Sequence, residues 1–162
     1  MLTAKDFTKL GAGYLRARTP VEIFRMVEEA ASLRIGFKLL TMLLLTSDGD
    51  EVQRIYTTDP VNYPVSGRER LGKTAWGQHV IVEQQPFLGA DAEGVKWAFP
   101  GDYDLIRGLG LGATMNVPVV AKGRTLGTLN ILGIEHAFDR RHLTDAIALA
   151  PYLSSSFLSY DT

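Results

Sequence analysis

The stretch that decides the fold is residues 107–132, which read RGLGLGATMNVPVVAKGRTLGTLNIL. Within it, two segments alternate between apolar and other side chains, as neighbouring strands do when each is half-buried. Lys122, Gly123 and Arg124 join the two segments. The pattern predicts a β-hairpin at the centre of the protein. Its alternating positions are Met115, Val117, Val119 and Ala121, and then Leu126, Thr128, Asn130 and Leu132.

Helix signals precede the hairpin. The Thr19 hydroxyl can accept a hydrogen bond from a backbone N–H of the first turn, where Pro20 also fits, and Glu22 can reach back to the cap. Apolar residues then recur at helical spacing until Gly36, which predicts the helix end. A shorter helix is predicted within residues 3–17.

Two strands and a long connection follow that helix. Residues 37–46 are apolar at nearly every position, which predicts a central strand covered on both faces. Turn residues at 47–50 lead to a second predicted strand at 52–57. From 58 to 72 the chain is interrupted by proline and glycine, so we expect an excursion without regular structure.

The middle and the end of the chain are predicted to be mainly helical. Asp139 can cap a long C-terminal helix, in which Pro151 predicts a kink. Residues 71–109, called the insertion below, hold four short predicted elements: a helix within 71–83, a strand over 86–88, and helices over 91–99 and 102–109. Hairpins flanked by helices predict an α+β fold around a central antiparallel β-sheet.

Composition narrows the function. At 162 residues the chain has the size of one domain, and its net charge of −1 gives no electrostatic footprint for nucleic acid or an anionic membrane. The longest apolar run, residues 39–45, is far shorter than the roughly 20 residues of a membrane span, and no secretion signal precedes it. We therefore expect no nucleic-acid partner, no membrane partner and a cytoplasmic location.

Catalytic signatures are missing from the sequence. There is no cysteine, which excludes disulfides, thiolate metal sites and cysteine nucleophiles. We find no nucleophile elbow, phosphate-binding loop or zinc-binding helix motif, and the spacing of Gly108, Gly110 and Gly112 favours a helix end and close backbone approach over a dinucleotide site. The sequence predicts a protein that is not an enzyme, identifies no cofactor and predicts no metal site.

The order of short motifs from Gly110 onward resembles that of a GAF domain. In that family a glycine-rich entry leads to a strand with Val-Pro, a turn glycine, a Gly-x-Leu strand, and a phenylalanine and aspartate that open the last helix. Here Phe138 is followed at once by Asp139, a contracted version. The matching segments are 110–113, 116–119, 123, 127–130 and 138–139.

The resemblance implies an architecture. It is a GAF- or PAS-like sheet of five to six strands, with the N- and C-terminal helices on one face and the short-helix insertion on the other. Residues 19–160 would form the GAF-like domain, and residues 1–18 an N-terminal helix that is a candidate dimer contact. Terminal helices with apolar stripes commonly pair, so a homodimer is expected. Its candidate contacts are Phe7, Leu10, Tyr14, Leu153 and Phe157.

Aromatic side chains are dense in the insertion and suggest a ligand pocket against the sheet. Trp76, Phe87, Trp97, Phe99 and Tyr103 fall within 28 residues. His79 and Asp91 could add polar contacts, as could Asp102, Arg107 or Asn130. In GAF domains the ligand usually contacts the strands of the central hairpin, so the resemblance adds Met115 and Val117 and again Asn130. The alternative is that the aromatic residues only complete a second small core.

These features favour a sensory or regulatory module. It would bind a small organic ligand of unknown identity without a covalent bond and signal through its terminal helices to a dimer mate or a separate signalling protein. An alternative from a different functional class is a structural dimerisation or protein-interaction module without a ligand. A third, an enzyme, predicts abnormal titration of Asp91, Asp102 or His79 in an open cleft.

Overall fold

The structure, a computed structural model, describes residues 1–65, 67–71 and 73–160. Within these residues six strands form one sheet in which every pairing is antiparallel. The strands are β1 (Leu39–Leu45), β2 (Glu51–Thr57), β3 (Arg68–Arg70), β4 (Phe87–Gly89), β5 (Ala113–Ala121) and β6 (Arg124–Gly133). Their order across the sheet is β3-β2-β1-β6-β5-β4. The predicted α+β fold with an antiparallel sheet is confirmed.

Helices cover both faces of the sheet. They are α1 (Ala4–Arg16), α2 (Pro20–Arg34), α3 (Ala92–Ala98), α4 (Tyr103–Gly108), α5 (Arg140–Leu149) and α6 (Ser154–Ser159). A π-helical segment spans Gly77–Val82, and a 3₁₀ turn spans Ala150–Leu153. Helices α1, α2, α5 and α6 lie on one face, and the insertion covers the other, as the resemblance implied.

The central hairpin forms as predicted. Strands β5 and β6 pair from Ala113 opposite Gly133 to Ala121 opposite Arg124. Lys122 and Gly123 make the turn, with φ values of 51° and 76°. Two successive positive φ values define the type I′ turn, whose twist matches that of the flanking strands.

The helix boundaries follow from capping. At the start of α2, Thr19 and Glu22 form the predicted capping box, and Gly36, with φ of 76°, follows its end. Helix α4 ends in a Schellman motif, in which the N–H of Gly110 donates to Arg107 and that of Leu111 donates to Ile106.

Alternation along β5 and β6 separates two cores. The larger core lies between the sheet and the terminal helices, where Phe24, Met115 and Leu129 are fully buried. The smaller lies under the insertion and contains Ile106 and Leu132. The sheet therefore carries an apolar layer on each face, and the insertion side is the thinner one.

One prediction for the middle of the chain is wrong, and in a second the predicted helix is present but of another type. The excursion at 58–72 is not free of regular structure, because β3 pairs with β2 at the sheet edge. The helix expected within 71–83 is short and π-helical over Gly77–Val82, with one extra residue per hydrogen-bonded turn. Gly72, which both predictions include, lies outside the described residues.

The predicted dimer contacts are partly wrong. Leu10, Leu153 and Phe157 are at most 3% exposed and belong to the protein's own core, so they cannot meet a second copy. Phe7 and Tyr14 are partly exposed on α1. Pro151 interrupts the C-terminal helix as predicted, and the 3₁₀ turn there directs Leu153 inward. Of the helices that the structure describes, none has the length and apolarity to cross a bilayer.

Candidate functional site

A cavity of about 30 Å³ lies between the sheet and the chain that covers it. Its volume suffices for one water-sized group. The apolar walls come from strands β1 and β6 and from the insertion, namely Leu39, Leu43, Leu132, Phe99 and Ile106. The polar lining is Thr41, Arg54, Tyr63, Glu69, Asp102 and Asn130. The cavity therefore combines an apolar body with a charged end.

The floor beside the cavity is a row of polar side chains across three strands. Thr41, Asn130 and Asn116 are cross-strand neighbours, since Asn130 pairs with Thr41 on β1 and with Asn116 on β5. The Asn116 amide donates to Asn130 Oδ1 at 2.9 Å, and the Asn130 amide donates to Thr41 Oγ1 at 3.4 Å. Because all three are buried, the row is a fixed network under the insertion.

Trp76, on the insertion, covers the Asn116 end of this polar row. Its indole N–H donates to Asn116 Oδ1 at 3.1 Å, and its ring lies 5.8 Å from that of Phe99. The π-helical segment begins directly after Trp76. This buried hydrogen bond and the aromatic packing add to the pairing of β4 with β5 and to the hydrogen bond from the Thr125 hydroxyl to the Ile81 carbonyl, which also hold the insertion to the sheet.

The charged end joins β2, β3 and the residues between them. The Arg54 guanidinium donates to the Pro64 carbonyl at 3.2 Å, lies 4.9 Å from the centre of the Tyr63 ring, and is 4.0 Å from the Glu69 carboxylate. Tyr63 is 6% exposed, and its hydroxyl finds no partner in the described part of the chain. Arg54 Nε is also buried and has no hydrogen-bond partner in the described part of the chain. Buried polar atoms without a partner are uncommon, so these two mark the site.

The two acidic residues here affect each other and Tyr63. Partial burial, then the charge of Asp102 and a hydrogen bond with it, raise the pKa of Glu69, whose side chain is 52% exposed. Burial, followed by the charge of Asp102, raises the pKa of Tyr63 to about 12. Tyr63 therefore stays protonated, and the site places two carboxyl groups beside one guanidinium.

Solved structures resemble this architecture closely, whereas no family model and no curated protein matches the chain. The GAF domain of a phosphoenolpyruvate-protein phosphotransferase from Coxiella burnetii has a TM-score of 0.75 at 18% identity, covering 95% of this chain and 91% of that one. The GAF domain of an Acinetobacter phosphoenolpyruvate-protein phosphotransferase has a TM-score of 0.75 at 11% identity, covering 98% and 95%. The GAF domain of a two-component sensor histidine kinase from Bacillus halodurans has a TM-score of 0.72 at 14% identity, covering 88% and 95%.

The chain has the fold of a GAF domain. In this GAF fold the cavity lies between the central hairpin and the insertion, where the sequence placed its ligand pocket. Phe99 and Asn130, both predicted site residues, line it. Trp76 contacts Phe99 from the side, and Tyr103 packs against the same small core.

Three other predicted site residues form a separate cluster on the outside of the GAF fold. The Phe87 and Trp97 rings lie 4.6 Å apart, and each lies 6.3 Å from the His79 ring. The ring of His79 is hydrogen-bonded to the Pro86 carbonyl at 3.1 Å, and Trp97 is 42% exposed. Asp91 caps α3 by accepting from the Gly94 N–H at 3.0 Å. The structure does not bring these four residues to the cavity.

Met115 and Val117 lie on the opposite face of the GAF sheet. Both are buried in the core beneath the terminal helices, and the residue between them, Asn116, faces the insertion. The alternation of side chains along a strand shows which residues share a face. It does not show which of the two faces lies toward a ligand. The residue between Met115 and Val117, Asn116, is therefore the one that β5 contributes to the polar row.

Sequence reasoning missed Arg54, Tyr63, Glu69 and Thr41. One signal was available: Arg54 is a charged residue in the middle of a strand that pairs with the apolar β1. Tyr63 and Glu69 had no such signal, because they reach the cavity through the path of the 58–72 segment. In the described residues no group of three or more histidine, aspartate or glutamate side chains could hold a metal ion. The side chains at the cavity offer hydrogen bonds, charge and apolar contact.

A larger groove of about 620 Å³ lies on the other face of the GAF fold, between the β1–β2 turn and α6. It contains Gln53, whose Oε1 has no partner among the described residues. The groove is open along the exposed residues of the turn, so water has access to most of its lining. The cavity under the insertion is the better candidate for a specific organic ligand, because its lining includes two buried polar atoms without a partner among the described residues, Tyr63 Oη and Arg54 Nε, beside apolar walls.

Proposed function

We propose that this GAF fold is a sensory module that binds a small organic ligand non-covalently in the cavity under the insertion, without catalysis. The observation that carries the proposal is the Tyr63 hydroxyl, which is buried and unpartnered at the cavity wall. An unsatisfied buried polar group costs about 1–3 kcal/mol, and a ligand atom that hydrogen-bonds to it would recover that free energy. The likeness to a GAF domain of a two-component sensor histidine kinase supports a sensory role.

Ligand binding in this cavity requires the cover to move. A typical small-molecule pocket measures about 300–1,000 Å³, whereas the cavity holds about 30 Å³. Most of the insertion is fixed to the sheet by the β4–β5 pairing and by the Trp76–Asn116 and Thr125–Ile81 hydrogen bonds, so the movable part is α4 with the segment that leads to the short edge strand β3. An outward shift of α4 and of the segment before β3 would enlarge the space. The ligand would therefore select an open state of the insertion.

The change would reach the terminal helices through the sheet. Asn116 touches the insertion side, and its neighbours Met115 and Val117 pack in the core under α2 and α5. A shift of β5 therefore alters the surface on which these helices rest. A second copy of the chain or a separate signalling protein would receive the change at their exposed faces.

A second candidate function is a protein-interaction module that binds no ligand. The small cavity favours it, because Trp76, Phe99 and Ile106 already fill most of the space between the sheet and the insertion. In that case the unpartnered Tyr63 hydroxyl would be hydrogen-bonded only to water.

Thermal unfolding in the presence of a metabolite library separates the two functions. Ligand at 100 times its dissociation constant stabilises the folded state by about 2.7 kcal/mol, so a true ligand raises the melting temperature. Tyr63→Phe removes only the hydroxyl and should reduce that rise. Tyr152→Phe, in the 3₁₀ turn on the opposite face, is the matched control and should retain it.

Three outcomes decide between the candidates. A rise that Tyr63→Phe reduces supports the cavity as the ligand site. An equal rise in all three proteins contradicts this location. No rise with any compound supports the interaction module.

A further inference from the structure

We propose that the ligand carries a primary ammonium group, which binds at the charged end of the cavity among Glu69, Asp102 and Tyr63, with a short hydrocarbon body against the apolar walls. This inference rests on the proposed function and names the chemical class of its ligand. Three observations support it: the balance of charge, the hydrogen-bond acceptors and the size of the cavity.

The charge balance favours a cation. Glu69 and Asp102 both line the cavity, and Arg54 is the cationic residue that lines it with them. Arg54 lies 4.0 Å from Glu69, and its guanidinium is already committed to the Pro64 carbonyl and the Tyr63 ring. The neighbouring Arg68 lies 3.9 Å from Glu51 instead. When both carboxyl groups are ionised, one of them therefore lacks a compensating positive charge.

The acceptors match an ammonium group. A primary ammonium has three N–H donors and no acceptor. The Glu69 and Asp102 carboxylates and the Tyr63 hydroxyl oxygen supply three acceptors at one end of the cavity. The Tyr63 hydroxyl is the independent sign of a ligand here, because it is buried and has no partner in the described residues.

The titration of Glu69 agrees with this assignment. Partial burial and the nearby Asp102 raise its pKa, which means that the empty site disfavours two ionised carboxylates. A bound cation beside Glu69 would favour its ionised form. Binding would then weaken as the pH falls and Glu69 takes up a proton.

The cavity as it stands matches the head group of the ligand, and the hydrocarbon body would occupy the space that opens when the cover moves. A volume of about 30 Å³ accepts a group the size of water, such as an ammonium head. The adjoining walls are Leu39, Ile106 and Leu132, which suit a short hydrocarbon body. Among the described residues that line the cavity, Arg54 is joined by no second cationic side chain that would pair with a carboxylate on the ligand.

The test compares three probes that share one carbon skeleton and differ in charge: 2-phenylethylamine, 2-phenylethanol and phenylacetate. Each is titrated into the full chain by isothermal calorimetry at neutral pH. We expect 2-phenylethylamine to bind most tightly. Glu69→Gln and Asp102→Asn should each weaken its binding by about tenfold or more, since a hydrogen bond to a charged group contributes about 1.5–3 kcal/mol.

Matched variants keep the test interpretable. Asp104→Asn removes an exposed carboxylate from the same helix, α4, and should leave binding unchanged. Asp102 makes no side-chain cap hydrogen bond, so Asp102→Asn preserves the helix start. Equal weakening by Asp104→Asn would indicate a general charge effect and would overturn the inference.

The outcomes also separate this inference from the proposed function. Tighter binding of 2-phenylethanol or phenylacetate, reduced by Tyr63→Phe, would overturn the ammonium assignment and support the ligand site. Binding of none of the probes, together with purified protein that retains no small molecule, would overturn both.

Discussion

At the level of single residues, Gly127 has the strictest steric requirement in the sheet. A Cβ atom there would collide with the Leu43 carbonyl oxygen on β1 and would lie 2.8 Å from the Phe157 ring. Gly127→Ala should therefore destabilise the fold by about 3 kcal/mol, the upper range for overpacking. Urea unfolding measures this difference.

Gly11 provides the matched control in helix α1. A Cβ at Gly11 would meet no atom within 4 Å. Gly11→Ala should stabilise the protein by about 0.5–1 kcal/mol, because alanine loses less conformational entropy in a helix. Equal destabilisation by both substitutions would contradict the close approach of β6 to β1.

Some site residues could be predicted from sequence and others could not. Phe99 and Trp76 were predictable because their segment is rich in large aromatic side chains, and Asn130 because it is polar on a buried strand. Met115, also predicted as a site residue, packs in the core under the terminal helices, since alternation shows which residues share a face of a strand but not what covers that face. Tyr63 could not be predicted as a site residue, because tertiary contacts determine the path of its segment.

At the level of elements, helix α1 is attached to α2 by an ion pair. Arg34 Nε lies 2.8 Å from Asp6 Oδ2, and Arg34 Nη2 donates to Asp6 Oδ1 at 3.0 Å. The hydrogen bond from Arg34 is the largest of several causes that lower the pKa of Asp6 from 3.8 to about 2. A carboxyl group whose pKa is lower in the folded state stabilises the fold at pH values above its unfolded-state pKa. That stabilisation is lost as the pH falls toward its folded-state pKa.

This attachment gives a pH-dependent prediction. The difference in unfolding free energy between the wild-type protein and Arg34→Met should be constant above about pH 4 and should shrink as the pH falls toward 2. Lys9→Met is the control, because the Lys9–Glu29 pair on the same helices is exposed on both sides. A difference for Arg34→Met that does not change with pH would show that Asp6 is not its partner.

Elements with local signals could be predicted, and those fixed by long-range pairing could not. Helix α2 has its cap, its Pro20 and its stop glycine within its own sequence, and the β5–β6 turn is encoded by Lys122 and Gly123. Strand β3 is three exposed residues long and exists only because β2 offers a free edge. The π-helical segment carries no periodicity that distinguishes it from an α-helix.

Across the whole molecule, the two faces of the sheet have different roles. The thick core under the terminal helices holds the fold together, and the thin layer under the insertion contains the buried polar row and the charged end of the cavity. The hairpin pattern made the fold predictable. The site depends on Arg54, Tyr63 and Glu69, which different segments bring together, so a local signal existed for Arg54 alone.

Native mass spectrometry of the freshly purified full chain tests the central claim most directly, namely that a small organic molecule occupies the cavity under the insertion. We predict a species heavier than the chain by one small-molecule mass, which disappears on denaturation and is reduced in Tyr63→Phe but not in Tyr152→Phe. The protein mass alone in every charge state, from preparations that have not been dialysed or denatured, would contradict the claim.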